Sequence, residues 1–147
     1  MISFYQLSSS PIEQALPVLL EKILSTGNRA VLLCKNKDLL KELDKSLWAV
    51  GGTRFLPHGT EDEDFKAEQP IYLTSANDNP NGAKFLVNIG ILDDDFYQNF
   101  ERTLVIFNQA DKQETDNARK LWKALKSNEN LILKFFKQNE KGSWEES

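Results

Sequence analysis

The run RAVLLC at residues 29 to 34 limits the possible folds more than any other feature of the chain. Successive side chains of a strand point to opposite faces of its sheet, so a short run that is apolar throughout needs cover on both faces. That is the situation of a parallel strand between two helical layers. The flanking sequence supplies the helices. Upstream, Ser10, Pro11 and Glu13 read as an N-cap, a first-turn proline and the far half of a capping box. Ala15, Leu16, Leu19, Leu20, Ile23 and Leu24 then form a broad apolar stripe that stops at Gly27 and Asn28. Pro17 lacks an N–H and is expected to kink this helix or delay its regular part. Downstream, Asn36 reads as the cap of a second helix reaching Val50, with Leu39, Leu40, Leu43, Leu47 and Val50 on one face and Gly51–Gly52 as its stop.

The alternation continues along the chain. ISFYQL at 2 to 7, IYLT at 71 to 74, FLVNI at 85 to 89, RTLVIFN at 102 to 108 and LILKFFKQ at 131 to 138 read as strands. TRFLPHG at 53 to 59 reads as a short extended piece leading into the acidic loop EDED at 61 to 64. Asp93 to Asp95 are good N-terminal charges for a short helix, DFYQNFE, and a long polar helix from about Asp111 to Ser127 precedes the last strand. The expected fold is α/β: one three-layer domain over residues 1 to 147, with a mixed, largely parallel sheet flanked by helices in a Rossmann-like topology. Only the polar residues 139 to 147 are expected to be loose.

Composition removes several function classes. Cys34 is the one cysteine and His58 the one histidine, so no internal disulfide forms and no zinc motif built on paired cysteines or histidines is available. No apolar run approaches the roughly 18 residues of a membrane span, and the start lacks the pattern of a secretory signal, so a cytoplasmic protein is expected. Eighteen Lys and Arg against 22 Asp and Glu give a net charge of −4, the wrong sign for gripping nucleic acid over the whole surface.

The phosphate chemistry that α/β sheets often carry is missing from the motifs. No glycine is followed by lysine and there is no G-x-G-x-x-G, so neither common phosphate loop is present. Asn79-Pro80-Asn81-Gly82 comes nearest, but it links two strands and includes a proline without an N–H, which favours a plain turn. A Cys34–His58 nucleophile pair is the other candidate, set against the commoner buried, inert cysteine. The acidic stretches 61 to 64 and 93 to 95 lack calcium-loop spacing and read as solvated charge. No cofactor and no metal are expected.

Two features remain. On the helix from Asp111, Ala118, Leu121 and Leu125 form the arc that must cover the sheet, while Arg119, Lys123 and Lys126 fall in a second arc of about 60°. Trp122 lies at the seam between them, an indole beside three cations. Trp48 sits off the leucine face of its own helix and is followed by Phe55, Pro57 and His58; aromatics that do not serve the home core often serve a partner.

ALP at 15 to 17, LDKSLW at 43 to 48, FLPHG at 55 to 59, NPNGA at 79 to 83, ARKLWKALK at 118 to 126 and QNEKGSWE at 138 to 145 occur in the order and spacing of one family. In these segments the chain resembles the chi subunit of bacterial DNA polymerase III. The resemblance implies a non-catalytic α/β protein of the clamp-loader assembly. Chi subunits pair with the small psi subunit and bind the acidic C-terminal tail of single-stranded DNA-binding protein. On the matching positions, Trp48, Phe55 and His58 would meet psi, or a helicase that competes for its site. Arg119, Trp122, Lys123 and Lys126 would bind the tail, with Phe107 and Asn108 as neighbours. Neither tight direct binding of nucleic acid nor a membrane is implied. The competing reading is a small nucleotide-dependent enzyme on the same scaffold, against which the missing phosphate loop counts.

Overall fold

A computed structural model describes residues 1–48, 58–62, 64–90, 92 and 94–146. The strands are β1 (Ile2–Leu7), β2 (Ala30–Leu33), β3 (His58–Thr60), β4 (Ile71–Thr74), β5 (Phe85–Ile89), β6 (Arg102–Asn108), β7 (Leu133–Gln138) and β8 (Trp144–Glu146). The helices are α1 (Ile12–Ser25), α2 (Lys37–Trp48) and α3 (Lys112–Lys126). These eight strands of the described residues join one sheet in the order β3-β4-β2-β5-β6-β1-β7-β8. Every pairing from β3 to β7 is parallel, and β7 with β8 is antiparallel. The α/β architecture and the mixed, mostly parallel sheet are those expected from the sequence.

β2 shows why its run had to be apolar. All four residues are buried. Ala30 and Leu32 face a core made with α1 and α2, while Val31 and Leu33 join Tyr72, Ala83 and Leu86 on the other face. The stripe of α1 supplies Leu16, Leu19, Leu20 and Ile23 to the first core, and α2 supplies Leu40, Leu43 and Leu47. Asn36 caps α2 as expected, its Oδ1 accepting from the N–H groups of Asp38 and Leu39 at 3.1 Å each. The expected end of α2 at Val50 and Gly51–Gly52 lies outside the described residues.

Pro17 does not break α1, which runs unbroken through it. The carbonyl that its missing N–H would have bonded is that of Glu13, and the Ser46 hydroxyl of α2 donates to it at 3.3 Å. The expected Ser10 capping box is overturned: Pro11 is the N-cap residue, and no side chain caps the helix. The serines are held elsewhere. The N–H groups of Ser8, Ser9 and Ser10 donate to one acceptor, Oε1 of the buried Gln138, at 3.2, 3.0 and 3.1 Å. An amide oxygen already fixed in a strand outcompetes a local cap because it satisfies three donors at once.

Two further boundaries moved. The short helix expected after Asp95 is a single 3-10 turn, Phe96–Asn99, started by Asp94 Oδ1 accepting from the Phe96 N–H at 3.0 Å. Beyond β7 the chain turns and returns as β8, whose Trp144 meets the Tyr5 ring edge-on at 5.0 Å. The expected solvated loop at Glu61 is instead a bonded one: its carboxylate accepts from the Thr74 hydroxyl and from both the N–H and hydroxyl of Ser75.

Candidate functional site

Parallel register builds the site in rows. On the face that α3 covers, Val105, Phe4 and Phe135 lie side by side on β6, β1 and β7. One row nearer the carboxyl ends come Phe107, Gln6 and Lys137. α3 leaves β6 at that edge and runs back across the rows, with Asp111 Oδ1 capping it by accepting from the Glu114 N–H at 3.0 Å. Ala118 and Leu125 are buried against the sheet and Leu121 is half-buried. Trp122, on the seam, packs edge-to-face on Phe4 at 5.4 Å and on Phe135 at 5.7 Å, the planes meeting at 78° and 84°.

The indole does not close the row. Beside it a cavity of about 330 Å³ opens, lined by Gln6, Arg119, Trp122, Lys123, Phe135 and Lys137. Its floor is two half-buried rings and its rim carries three cations, with no acidic residue among the described residues that line it. None of Arg119, Lys123 and Lys137 is ion-paired with another described residue. Such a pocket suits a ligand that joins an apolar ring to negative charge.

Of the residues expected here, the structure brings Arg119, Trp122 and Lys123 together. Lys126 is exposed one turn farther along α3 and does not line the cavity. Phe107 is buried, its ring 6.0 Å from that of Phe135, and does not line the cavity. Asn108 lies on a different cavity, of about 240 Å³, and donates its N–H to Glu114 Oε2 at 2.9 Å. Gln6, Phe135 and Lys137 were missed. Their signal was alternation within ISFYQL and LKFFKQ, but only the pairing of β1 with β7 tells which alternate sets face α3.

The second expected surface is only partly described. Trp48 is the last residue of α2, and Phe55 lies outside the described residues. His58 is on β3 with its side chain wholly buried, and its Nε2–H donates to Asp44 Oδ1 of α2 at 2.9 Å. It therefore positions β3 against α2. The Cys34 thiol is buried and donates to the Asn36 carbonyl at 3.5 Å; burial pushes its pKa up, with the Asn36 backbone contact opposing. A thiol held protonated is a poor nucleophile. Among the described residues no group of three or more His, Cys, Asp or Glu is placed to hold a metal ion. No described helix is long and apolar enough to cross a membrane. The loop at Asn79 is a turn: Asn79 and Ala83 exchange two hydrogen bonds, and Gly82 takes φ of +65°.

A family model described as DNA polymerase III chi subunit, HolC, matches residues 1–132. The chain belongs to the DNA polymerase III chi subunit family. It is similar to the probable DNA polymerase III subunit chi of Rickettsia prowazekii, with 34% identity over 91 residues, 62% of this chain and 55% of that protein. The match thus spans about half the length of the Rickettsia relative. It is also similar to the DNA polymerase III subunit chi of Pseudomonas aeruginosa, with 32% identity over 104 residues, 69% of this chain and 72% of that protein. Against this family frame the pocket is composite. Arg119, Trp122 and Lys123 lie inside the matched residues, whereas Phe135 and Lys137 follow them.

Proposed function

We propose that this chain is a non-catalytic accessory subunit of the DNA polymerase III holoenzyme in the cytoplasm. It links the clamp loader, through the psi subunit, to the acidic C-terminal tail of single-stranded DNA-binding protein. The observation that supports the tail site is the cavity under α3, with its ring floor of Trp122 and Phe135 and its rim of Arg119, Lys123 and Lys137. A tail ending in aspartates, a proline and a phenylalanine offers a ring for the floor and negative charge for the rim. Arg119 is suited to the terminal carboxylate, because a planar guanidinium donates two parallel hydrogen bonds. So short a peptide buries little surface, which sets an affinity in the micromolar range, about −8 kcal/mol, weakened by salt.

Fluorescence anisotropy of a labelled tail peptide, at low and high salt, tests this against a control lacking the terminal phenylalanine. Arg119→Ala is expected to cost roughly 2 kcal/mol and Lys126→Ala, outside the cavity, under about 1 kcal/mol. Equal binding of peptide and control would remove the cavity from the reading. A tight titration with oligothymidylate in place of the peptide would favour direct binding of single strands. Trp48 and Phe55 are assigned to the psi surface, and truncating either is expected to weaken co-purification with psi by about 30-fold while leaving tail binding unchanged. Wild-type recovery of psi by both variants would place that interface elsewhere.

A further inference from the structure

Three cations rim the cavity, yet they do not stand at the same level. β1 and β7 run toward the carboxyl edge of the sheet, and α3 runs away from it. Lys137 follows Phe135 by two residues on the same strand face, about 7 Å nearer that edge. Arg119 precedes Trp122 by roughly one helical turn, about 5 Å in the same direction. Both positions therefore lie on the carboxyl side of the corner where the rings of Trp122 and Phe135 meet at 84°, and both side chains line the cavity. Lys123 is level with the corner, and Lys126 lies beyond it toward the amino edge.

We propose that Lys137, with the amide of Gln6 beside it, is the second arm of a clamp that holds the α-carboxylate ending an acidic peptide, opposite Arg119. This rests on the tail-binding reading above and adds which strand closes the site and which way the peptide runs. The terminal ring fills the Trp122–Phe135 corner, its carboxylate points to the carboxyl edge of the sheet, and the preceding acidic residues pass Lys123 and Lys126. Gln6 is the register partner of Lys137, and its Nε2 donates one hydrogen to Gln109 Oε1 at 3.0 Å, which leaves the second for a ligand. Across the β7–β8 pairing, Lys137 has a carboxylate, Glu145, as its register partner. Glu145 accepts instead from Asn139 Nδ2 at 3.1 Å, and Lys137 makes no ion pair among the described residues.

The test uses the full chain and an acidic peptide ending in phenylalanine, made as the free acid and as the C-terminal amide. The wild type is expected to prefer the acid by about 30-fold, since two cations lose their partner in the amide. Lys137→Ala is expected to weaken the acid about tenfold and the amide less than twofold, shrinking the preference. Lys123→Ala is expected to weaken both peptides alike. Lys137 is exposed, so its variant is expected to keep the wild-type Tm. An acid-to-amide preference unchanged in Lys137→Ala, while Trp122→Ala and Arg119→Ala lose binding, would overturn the clamp and leave the tail reading standing. Failure of both peptides to bind the wild type would overturn the two together.

Discussion

The two faces of the sheet are built to different standards. Under α1 and α2 lies one continuous core, with Leu20, Leu32, Leu43 and Leu73 at 0% exposure and neighbours from five strands. Under α3 the apolar residues divide into two clusters, and Leu121, Trp122, Leu133 and Phe135 are only partly buried. One helix and a 3-10 turn cover what two helices cover opposite. Burial of apolar surface is the main favourable term in folding, so the first face carries most of the stability. The second face gives up some of that burial and leaves the ring edges of Trp122 and Phe135 partly uncovered.

If that division holds, a cut in the α1 face destabilises without touching the pocket. Leu20→Ala is expected to lower stability by about 2–5 kcal/mol in urea unfolding, because it leaves a cavity in packed surroundings. Tail-peptide affinity of the folded variant is expected to match the wild type. A large loss of affinity would show that the two faces are coupled. Trp122→Ala makes the opposite cut. Its indole is half-exposed and its two edge-to-face contacts are worth about 0.5–1.5 kcal/mol each, so a loss of about 1–3 kcal/mol of stability is expected along with loss of peptide binding. Trp122→Phe separates the two roles by keeping an aromatic edge on Phe135.

Between the faces stands Gln138, at the end of β7. Gln138→Ala strands three N–H groups of the β1–α1 loop at once, and is expected to cost about 1–3 kcal/mol. A cost near zero would mean that water replaces the amide there. This residue also marks the limit of what the sequence tells. Runs such as RAVLLC and RTLVIFN state their own burial, and the stripes of α1 and α2 state their own faces, since each is a local pattern. Asn36 was legible as a cap for the same reason. Gln138 was not, because its partners are about 130 residues away and only the β1–β7 pairing brings them near. Half of the cavity lining was hidden in the same way. Arg119, Trp122 and Lys123 share one helix face and could be read together, while Gln6, Phe135 and Lys137 join them through sheet register alone.

The smallest expected effect belongs to the opposite edge of the sheet and appears only in acid. Glu61 follows β3 and takes three hydrogen bonds: from the Ser75 hydroxyl at 2.6 Å, the Ser75 N–H at 3.0 Å and the Thr74 hydroxyl at 3.1 Å. Burial alone would raise its pKa, but these bonds to the charged form, with Lys37 nearby, outweigh it and hold the carboxyl below its ordinary value of 4.5. A group whose pKa is depressed by folding stabilises the native state once it is ionised in both states, and that contribution fades as pH falls through the folded value. Asp94 acts in the same direction, through the Asn77 amide first and then the Phe96 N–H, with partial burial opposing and Lys35 assisting. Thermal unfolding is therefore expected to show Tm falling between about pH 5 and pH 3, with a shallower fall in Glu61→Gln than in the wild type. Both groups are partly exposed, so salt narrows the difference. Parallel curves for the two proteins would mean that the bonds seen at Ser75 and Thr74 do not favour the carboxylate over its protonated form.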